Sequence, residues 1–297
     1  GDMDVFVAGG CSYNAMVYLD EFPSEPGTHR ARNYQETVGS TGAGKTMNLG
    51  RLGMDVTFHA TIGQDRYGEL VEETFAAEPA TFLYAVDPNG TERHVNLMNV
   101  DGERISVFVV QATPDPDVDY GRLEDLVATS DAFVVNPVDY TRPLLAAAER
   151  HDTPVWCDVH DYDGEDPHFD AFVDAADYLF LSEEGIDDAR EFMREQIDAG
   201  TELVVCTRGA DGSTALTSDG TWFELPAEPF EMVDTNGAGD AYVSGFLYGH
   251  AHGEDLETCM RLGTLAGGLA VESWELAHPE LSADRLAAEY ERHYGDA

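Results

Sequence analysis

Basic residues are scarce in this chain, and lysine is almost absent. The 297 residues include 58 aspartates and glutamates against 16 lysines and arginines, a formal net charge of -42. Nucleic acid and anionic lipid both require a basic footprint, which this balance denies them. Long apolar runs are also missing: nothing approaches the roughly 18 consecutive apolar residues of a membrane-spanning helix. The stretch GDMDVFVAGG, residues 1–10, has no basic n-region ahead of its apolar residues, so no secretory signal is expected. Four cysteines, Cys11, Cys157, Cys206 and Cys259, are scattered without a CxxC pair. They are expected to be buried, reduced thiols in a cytoplasmic protein.

What the chain does contain argues for a folded protein. Its 43% hydrophobic and 10% aromatic content, with clear strand patterns, is inconsistent with disorder despite the acidity. A compact protein with this much self-repulsion is expected to work in concentrated salt, where the Debye length falls to about 3 Å. The expectation is a cytosolic protein of a halophile. Lys45 is the only lysine, all other basic residues being arginine, so it is a candidate for a specific task. It lies in GSTGAGKT, residues 39–46, which matches the phosphate-binding P-loop pattern G-x-x-x-x-G-K-[ST].

Short apolar runs alternate with amphipathic stretches along most of the chain. Strands are expected at Val5–Ala8, Val56–Ala60, Ala132–Val135, Val155–Asp158, Tyr178–Leu181 and Leu203–Cys206. Helices are expected at Tyr67–Ala77, Leu123–Ala128, Pro143–Arg150 and Ala189–Ile197, with three more between Gly239 and Tyr294. Fully apolar strands alternating with helices predict a three-layer α/β/α domain around a mainly parallel sheet. Two segments, about 13–38 and 81–110, show strand-like alternation instead, around the turn signals PNG (88–90) and VDG (100–102). They predict a small β-sheet lid. No repeat or linker divides the chain, so residues 1–297 are expected to form a single domain.

The chemistry concentrates in VDTNGAGDAYVSGFLYGH, residues 233–250. Gly237, Ala238 and Gly239 precede an apolar-periodic helix, whose free N–H groups and dipole favour an anion. Small side chains let a phosphoryl group approach that backbone closely. Asp240 sits in the first turn, where it either accepts a proton from an attacking hydroxyl or serves as an ordinary acid at a helix start.

DTNGAGD resembles the DTxGAGD signature of the ribokinase-like, pfkB-type carbohydrate kinases. A second stretch, VGSTGAGKTMNLGRLGMDVTFHATIGQDRYGE from Val38, is similar to that family's N-terminal signature, with Gly63, Asp65 and Gly68 supplying its G-x-D-x-x-G element. TRGADG, from Thr207 to Gly212, resembles the family's T-x-G-x-x-G nucleotide loop. The resemblance covers essentially the whole chain, in the family's order. It implies a ribokinase-like fold and transfer of the ATP γ-phosphoryl group to a hydroxyl of a sugar, sugar acid, sugar phosphate or nucleoside.

The resemblance also implies site roles. Asp240 would be the base, with the amides of Gly237, Ala238 and Gly239 holding the phosphoryl charge. Thr207, Arg208, Gly209 and Gly212 would bind the nucleotide, accompanied by Mg²⁺. Asp234 and Asn236 mark the place where some members bind a monovalent cation such as K⁺. Ser12, Asn14, Ser40, Thr41, Lys45, His94, Asn96 and Asn136 are the acceptor-side candidates. The lid is also a candidate homodimer surface.

On this reading the P-loop match is an accident, because the Gly-rich turn lies under the acceptor. The residues before it, RNYQETV, are mostly polar, whereas a P-loop follows a buried strand. The chain departs from the family elsewhere. Asn14 replaces the usual sugar-binding Asp, Gly44 replaces an Asn, and Ser182-Glu183-Glu184-Gly185 stands where the family has N-x-x-E. Lys45 beside Gly44 suggests a cationic contact to an anionic or strongly polar acceptor, with Arg93 and Arg104 assisting. DVHDYDGEDPHFD, residues 158–170, is too irregular for an EF-hand, since Val159 takes the first ligand position and Asp170 the last. Two other readings stay open: a P-loop ATPase or kinase centred on GSTGAGKT, and a non-catalytic sugar- or nucleotide-binding homologue.

The acidity makes a direct prediction about salt. Thermal stability and activity should rise steadily from about 50 mM toward about 2 M KCl, as screening relieves the repulsion. NaCl at equal ionic strength should stabilise equally, and lower activity in NaCl would report a specific K⁺ site. Equal melting temperatures at both extremes of salt would contradict the screening argument.

Overall fold

The computed structural model describes residues 3–295. Strands β1 (Asp4–Ala8), β2 (Ser12–Tyr18) and β3 (Asn33–Gly39) lead into helix α1 (Thr41–Arg51). Then come β4 (Asp55–Ile62), α2 (Arg66–Ala76), β5 (Thr81–Val86), β6 (Arg93–Met98) and β7 (Arg104–Val110). Helix and strand alternate next: α3 (Tyr120–Thr129), β8 (Ala132–Val135), α4 (Arg142–Arg150), β9 (Val155–Asp158), α5 (Asp170–Ala175), β10 (Tyr178–Ser182), α6 (Ala189–Asp198) and β11 (Leu203–Thr207). The hairpin β12 (Ser213–Thr217) and β13 (Trp222–Leu225) precedes α7 (Ala238–Ala251), α8 (Leu256–Val271) and α9 (Ala283–Tyr294).

The main sheet has the order β13-β12-β11-β10-β9-β8-β1-β4-β5. Strands β11 through β5 in that order are parallel, and the β12–β13 hairpin adds antiparallel at one edge. Period-two alternation sends Val5 and Val7 to one face and Phe6 and Ala8 to the other. The first face packs on α1, α2, α7 and α8, the second on α3, α4, α5 and α6. Apolar residues on both sides of each strand thus become two cores, which is the three-layer arrangement the sequence predicts. No helix among the described residues is long and apolar enough to cross a membrane.

The lid is a separate four-stranded sheet of order β3-β2-β6-β7. One part of the expectation needs correction. Thr81–Val86, included in the expected lid segment 81–110, is instead β5, pairing parallel with β4 at the edge of the main sheet. Helix α2 carries the chain back along β4, the short crossover that parallel pairing requires. Phe82 then stacks on Phe75 of α2 and lies against Phe58 of β4, so packing decides where this alternating segment goes.

Strands β4 and β5 lie on one side of β1, and β8 to β11 on the other. The chain therefore reverses direction between β1 and β8, the place where open parallel sheets leave a crevice beyond their strand ends. Helix α1 is docked over that crevice. A Cβ on Gly42 would stand 1.9 Å from the Gly9 carbonyl oxygen, and Ala43 N–H donates to Gly10 O at 2.9 Å. Helix α1 can approach the end of β1 this closely only without a side chain at position 42.

This geometry removes the P-loop alternative. Only Ser40 separates the last residue of β3 from the first of α1, so no loop remains to wrap a phosphate. Gly42 to Thr46 lie inside the helix, and Thr46, whose hydroxyl would have to meet magnesium, is fully buried.

Gly42→Ala should therefore destabilise the fold by about 1–3 kcal/mol, the range for overpacking a tight contact. Gly121→Ala, in α3 where the nearest neighbour of a new Cβ is an Asp119 oxygen at 3.5 Å, should leave stability unchanged or raise it by up to about 1 kcal/mol. Urea melts of both variants decide the matter, and equal midpoints would contradict the close-approach argument.

Candidate active site

Four side chains from three elements meet over the crevice. Thr41 and Lys45 are one turn apart on α1, Asn136 follows β8, and Asp240 lies in the first turn of α7. Thr41 Oγ1 donates to Asp240 Oδ1 at 2.6 Å. Lys45 Nζ donates to Asp240 Oδ1 at 2.9 Å, to Asn136 Oδ1 at 3.1 Å and, more closely, to Thr41 Oγ1. Asn136 Nδ2 donates to Gly9 O at 2.8 Å and reaches Ala8 O at 3.3 Å, which fixes its oxygen toward Lys45.

Lys45 is 0% exposed, so it is not a surface residue retained by chance. Its ammonium also lies 3.9 Å from Asp158 Oδ2 at the end of β9. Burial works against the charged form, but Asp240 and Asp158 outweigh it and hold the amine above the ordinary lysine value. An ammonium has three protons, and three acceptors already take them. This corrects two expectations. Lys45 has no proton left for an anionic acceptor, and Asn136 uses both ends of its amide on the protein. Nor do the lid arginines substitute for it: Arg93 stacks on Tyr67 at 3.8 Å and pairs with Glu36 at 3.7 Å, and Arg104 reaches Asn236 at 3.5 Å.

Asp158, His160 and Asp240 bring ligand-type atoms within 4.8 Å of one another. The Lys45 ammonium beside both carboxylates already supplies the positive charge that a cation would bring there. Sequence reasoning missed Asp158 and His160 as site residues. The available signal was a carboxylate ending a fully apolar strand, at the edge where parallel sheets bind ligands.

Helix α7 begins where the sequence places it, with one difference in its backbone bonding. Gly237 is its N-cap in the left-handed region, φ 83°. The amides of Gly237, Gly239 and Asp240 meet no acceptor among the described residues, but Ala238 N–H turns back to Thr235 O at 3.2 Å. A Cβ on Gly239 would meet nothing within 4 Å, which leaves open space in front of the helix. Before the helix, Asp234 is buried and accepts from Tyr18 Oη at 2.7 Å and from Asn236 N–H at 3.0 Å. Burial raises its carboxyl above the usual range, and the Tyr18 and Asn236 hydrogen bonds oppose that. Tyr18 was not legible as a site residue, since nothing in its alternating strand marks it.

The remaining candidates fall into two groups away from Asp240. Thr207, Arg208, Gly209 and Gly212 form the end of β11 and the tight turn into β12, where Arg208 N–H donates to Gly212 O at 2.7 Å. Ser12 and Asn14 on β2 and His94 and Asn96 on β6 occupy the buried face of the lid. Ser12 Oγ and Asn96 Oδ1 are buried without a partner. Asn14 Oδ1 accepts from His94 N–H at 3.2 Å. Ser40, at the N-cap of α1, has φ 77°, a conformation that costs a non-glycine residue about 1–3 kcal/mol and recurs at functional sites.

The N-x-x-E departure has a structural cause. A Cβ on Gly185 would stand 1.8 Å from the Asp161 carbonyl oxygen, so no glutamate fits there. Glu183 lies just past β10, and its charge adds to the burial that pushes the Cys206 thiol up to about 12. A carboxylate therefore stands on the same sheet edge as the family's missing glutamate.

Comparison with known proteins agrees with this architecture. The model of the pfkB family carbohydrate kinases matches residues 3–282. The chain is 33% identical over 274 residues, covering 90% of this chain and 91% of the relative, to an acarbose 7(IV)-phosphotransferase from Actinoplanes sp.. It is 24% identical to the ribokinase of Bacillus subtilis, covering 91% of this chain and 94% of the relative. Among solved structures, a microbiome-derived acarbose kinase superposes with a TM-score of 0.87 at 24% identity, covering 97% and 99% of the two chains. Arabidopsis thaliana ribokinase, solved with ribose and ATP, gives 0.80 at 20% identity, covering 97% and 98%. At those identities the structural likeness speaks for the fold. With nearly its whole length matched by the family model, the chain belongs to the pfkB carbohydrate kinases, ATP-dependent phosphotransferases that act on a hydroxyl of a sugar or related molecule.

Proposed function

We propose that this kinase phosphorylates an uncharged sugar or glycoside, with Asp240 as the base. The observation that carries the reading is the division of labour between the Asp240 oxygens. Oδ1 is held by Thr41 and Lys45, while Oδ2 accepts no hydrogen bond among the described residues and lies over Gly44, whose missing side chain leaves room beside it. An acceptor hydroxyl there would give its proton to Oδ2 as its oxygen bonds to the γ-phosphorus. The bond from that phosphorus to the β–γ bridging oxygen breaks, and ADP leaves with the electron pair. The amides of Gly237, Gly239 and Asp240 face the charge on the transferred group.

Nucleotide placement follows the sheet. Strand β11 is three strands from β8, about 14 Å at ordinary spacing. That span suits a nucleotide reaching from the Thr207–Gly212 turn to a γ-phosphate at α7. Magnesium, which the family uses with ATP, neutralises phosphate charge when bound, and the half-buried Glu183 is the hard-oxygen donor that would hold it. A K⁺ ion beside Asp234 and Asn236 would act on the same loop. The four free, buried cysteines support a reducing, cytoplasmic setting.

Neutrality of the acceptor is supported by the lid face and by Lys45. Ser12, Asn14 and Asn96 offer hydroxyl and amide groups, and the Lys45 ammonium gives its three protons to Thr41, Asn136 and Asp240. The relatives named for acarbose make a glycoside the first compound to try. We also propose that a second copy of this chain pairs along β7. That strand is an edge of the lid sheet, and Ile105, Val107, Phe108 and Val109 are exposed on it. The run ISVFVV holds no acid in a chain with 58 of them, so an identical apolar edge is a better match than the acidic remainder of the surface.

The test of function is a panel of acarbose, neutral monosaccharides, a nucleoside, a sugar acid and a sugar phosphate, assayed with Mg-ATP in high KCl. A neutral sugar or glycoside should exceed its charged analogue in kcat/KM by roughly 100-fold, the cost of an unpaired buried charge. Preference for a phosphate or carboxylate would overturn the neutral reading. In the same assay Asp240→Asn should lower kcat by about 10²–10⁴-fold with KM for ATP nearly unchanged, and wild-type turnover would remove the base.

The test of pairing is light scattering after size exclusion. The native chain should run as a dimer and Val107→Lys as a monomer, and a monomeric native chain in high KCl would end the proposal.

A further inference from the structure

Two carboxylates and a histidine surround the place where the proton must go. From β9 come Asp158 and His160, whose Nδ1 lies 3.3 Å from Asp158 Oδ2. From α1 come Thr41 and Lys45, and from the end of β8 comes Asn136. Side-chain exposure is only 8% at Asp158 and 12% at Asp240. Two shielded carboxylates this close repel each other, and a carboxylate pushed off its position by its neighbour is poorly aimed at an acceptor.

We propose that Lys45 is a positioning residue that holds Asp240 aimed at the acceptor hydroxyl and offsets the charge of Asp158 beside it. It touches neither acceptor nor nucleotide. The inference rests on Asp240 being the base. Three features carry it. The ammonium is 2.9 Å from Asp240 and 3.9 Å from Asp158, so it offsets both charges. Its three protons go to Thr41, Asn136 and the same Asp240 oxygen that Thr41 holds. That leaves the carboxylate one fixed orientation, with Oδ2 over Gly44.

Position 44 completes the clamp from below. A Cβ on Gly44 would stand 2.8 Å from Asp240 Oδ2 and 3.2 Å from its Cβ and Cγ. In another protein the carboxylate could rotate away from such an atom. Here Lys45 and Thr41 hold it, so glycine is needed next to the lysine. The adjacent Gly-Lys pair, which imitates a P-loop, is explained as one device around Asp240.

The roles of charge and of packing separate in a double-variant experiment. Lys45→Met should lower kcat by about 100-fold, with KM for ATP and for the fastest acceptor of the panel each changing less than about threefold. Lys45→Met/Asp158→Asn also removes the second carboxylate. It should fold even if the single variant does not, and recover about tenfold of the lost kcat. A native kcat in the folded single variant, a KM for the acceptor raised in step with the lost kcat, or a double variant no faster than the single one overturns the proposal. Asp240→Asn is the separate control. If it keeps native turnover the base assignment has failed, whereas an inactive Asp240→Asn beside a native-like Lys45→Met defeats only the role given to the lysine.

Discussion

The close approach of α1 to the end of β1 is the constraint on which the site depends. Gly42 lets the helix backbone rest on the Gly9 and Gly10 carbonyls, and everything else is a matter of helical phase. With position 42 against the sheet, positions 41 and 45 share the neighbouring stripe and face the crevice between β1 and β8. Asn136 leaves β8 at the same level, its amide held by the Ala8 and Gly9 carbonyls. Helix α7 packs across α1, with Ser244 Oγ donating to Asp240 O at 2.8 Å and reaching Lys45 O at 3.4 Å. One glycine contact therefore sets the register between the helix carrying the lysine and the helix carrying the carboxylate.

The lid is attached to the same machinery by its other end. Tyr18 on β2 donates to Asp234 Oδ2 and lies edge-on to Trp274 at 4.4 Å. Gly102, at the turn between β6 and β7, accepts from Thr235 Oγ1 at 2.7 Å. Both contacts fall on the loop that leads into α7. The lid sheet and the loop that leads into α7 are thus parts of one hydrogen-bonded unit.

Much of this was legible in the sequence, and the reasons are specific. Strands such as Ala132–Val135 and Val155–Asp158 are apolar on both faces, which occurs in parallel sheets with helices on each side. The helix-start glycines and Asp240 were readable as a candidate anion site because such a site needs free amides, small residues and a nearby acid in consecutive positions. Thr81–Val86 was misread because alternation specifies a strand but not its sheet. Its partner was chosen by Phe58, Phe75 and Phe82, which are far apart in the chain. Lys45 was singled out by its rarity, but its partners within the protein were not legible. A helix beginning at Thr41 turns position 45 inward, and Asp158 and Asp240 reach it only through the fold.

The burial of Lys45 has a consequence at the surface. As the chain's only lysine, and one with no exposed area, it leaves the described surface without a single ε-amine. Acetylation, ubiquitin conjugation and amine-directed crosslinkers all need such a group as an accessible nucleophile. On the folded protein these chemistries have no lysine to meet, so amine labelling of residue 45 becomes a direct report that the space between α1 and α7 has opened.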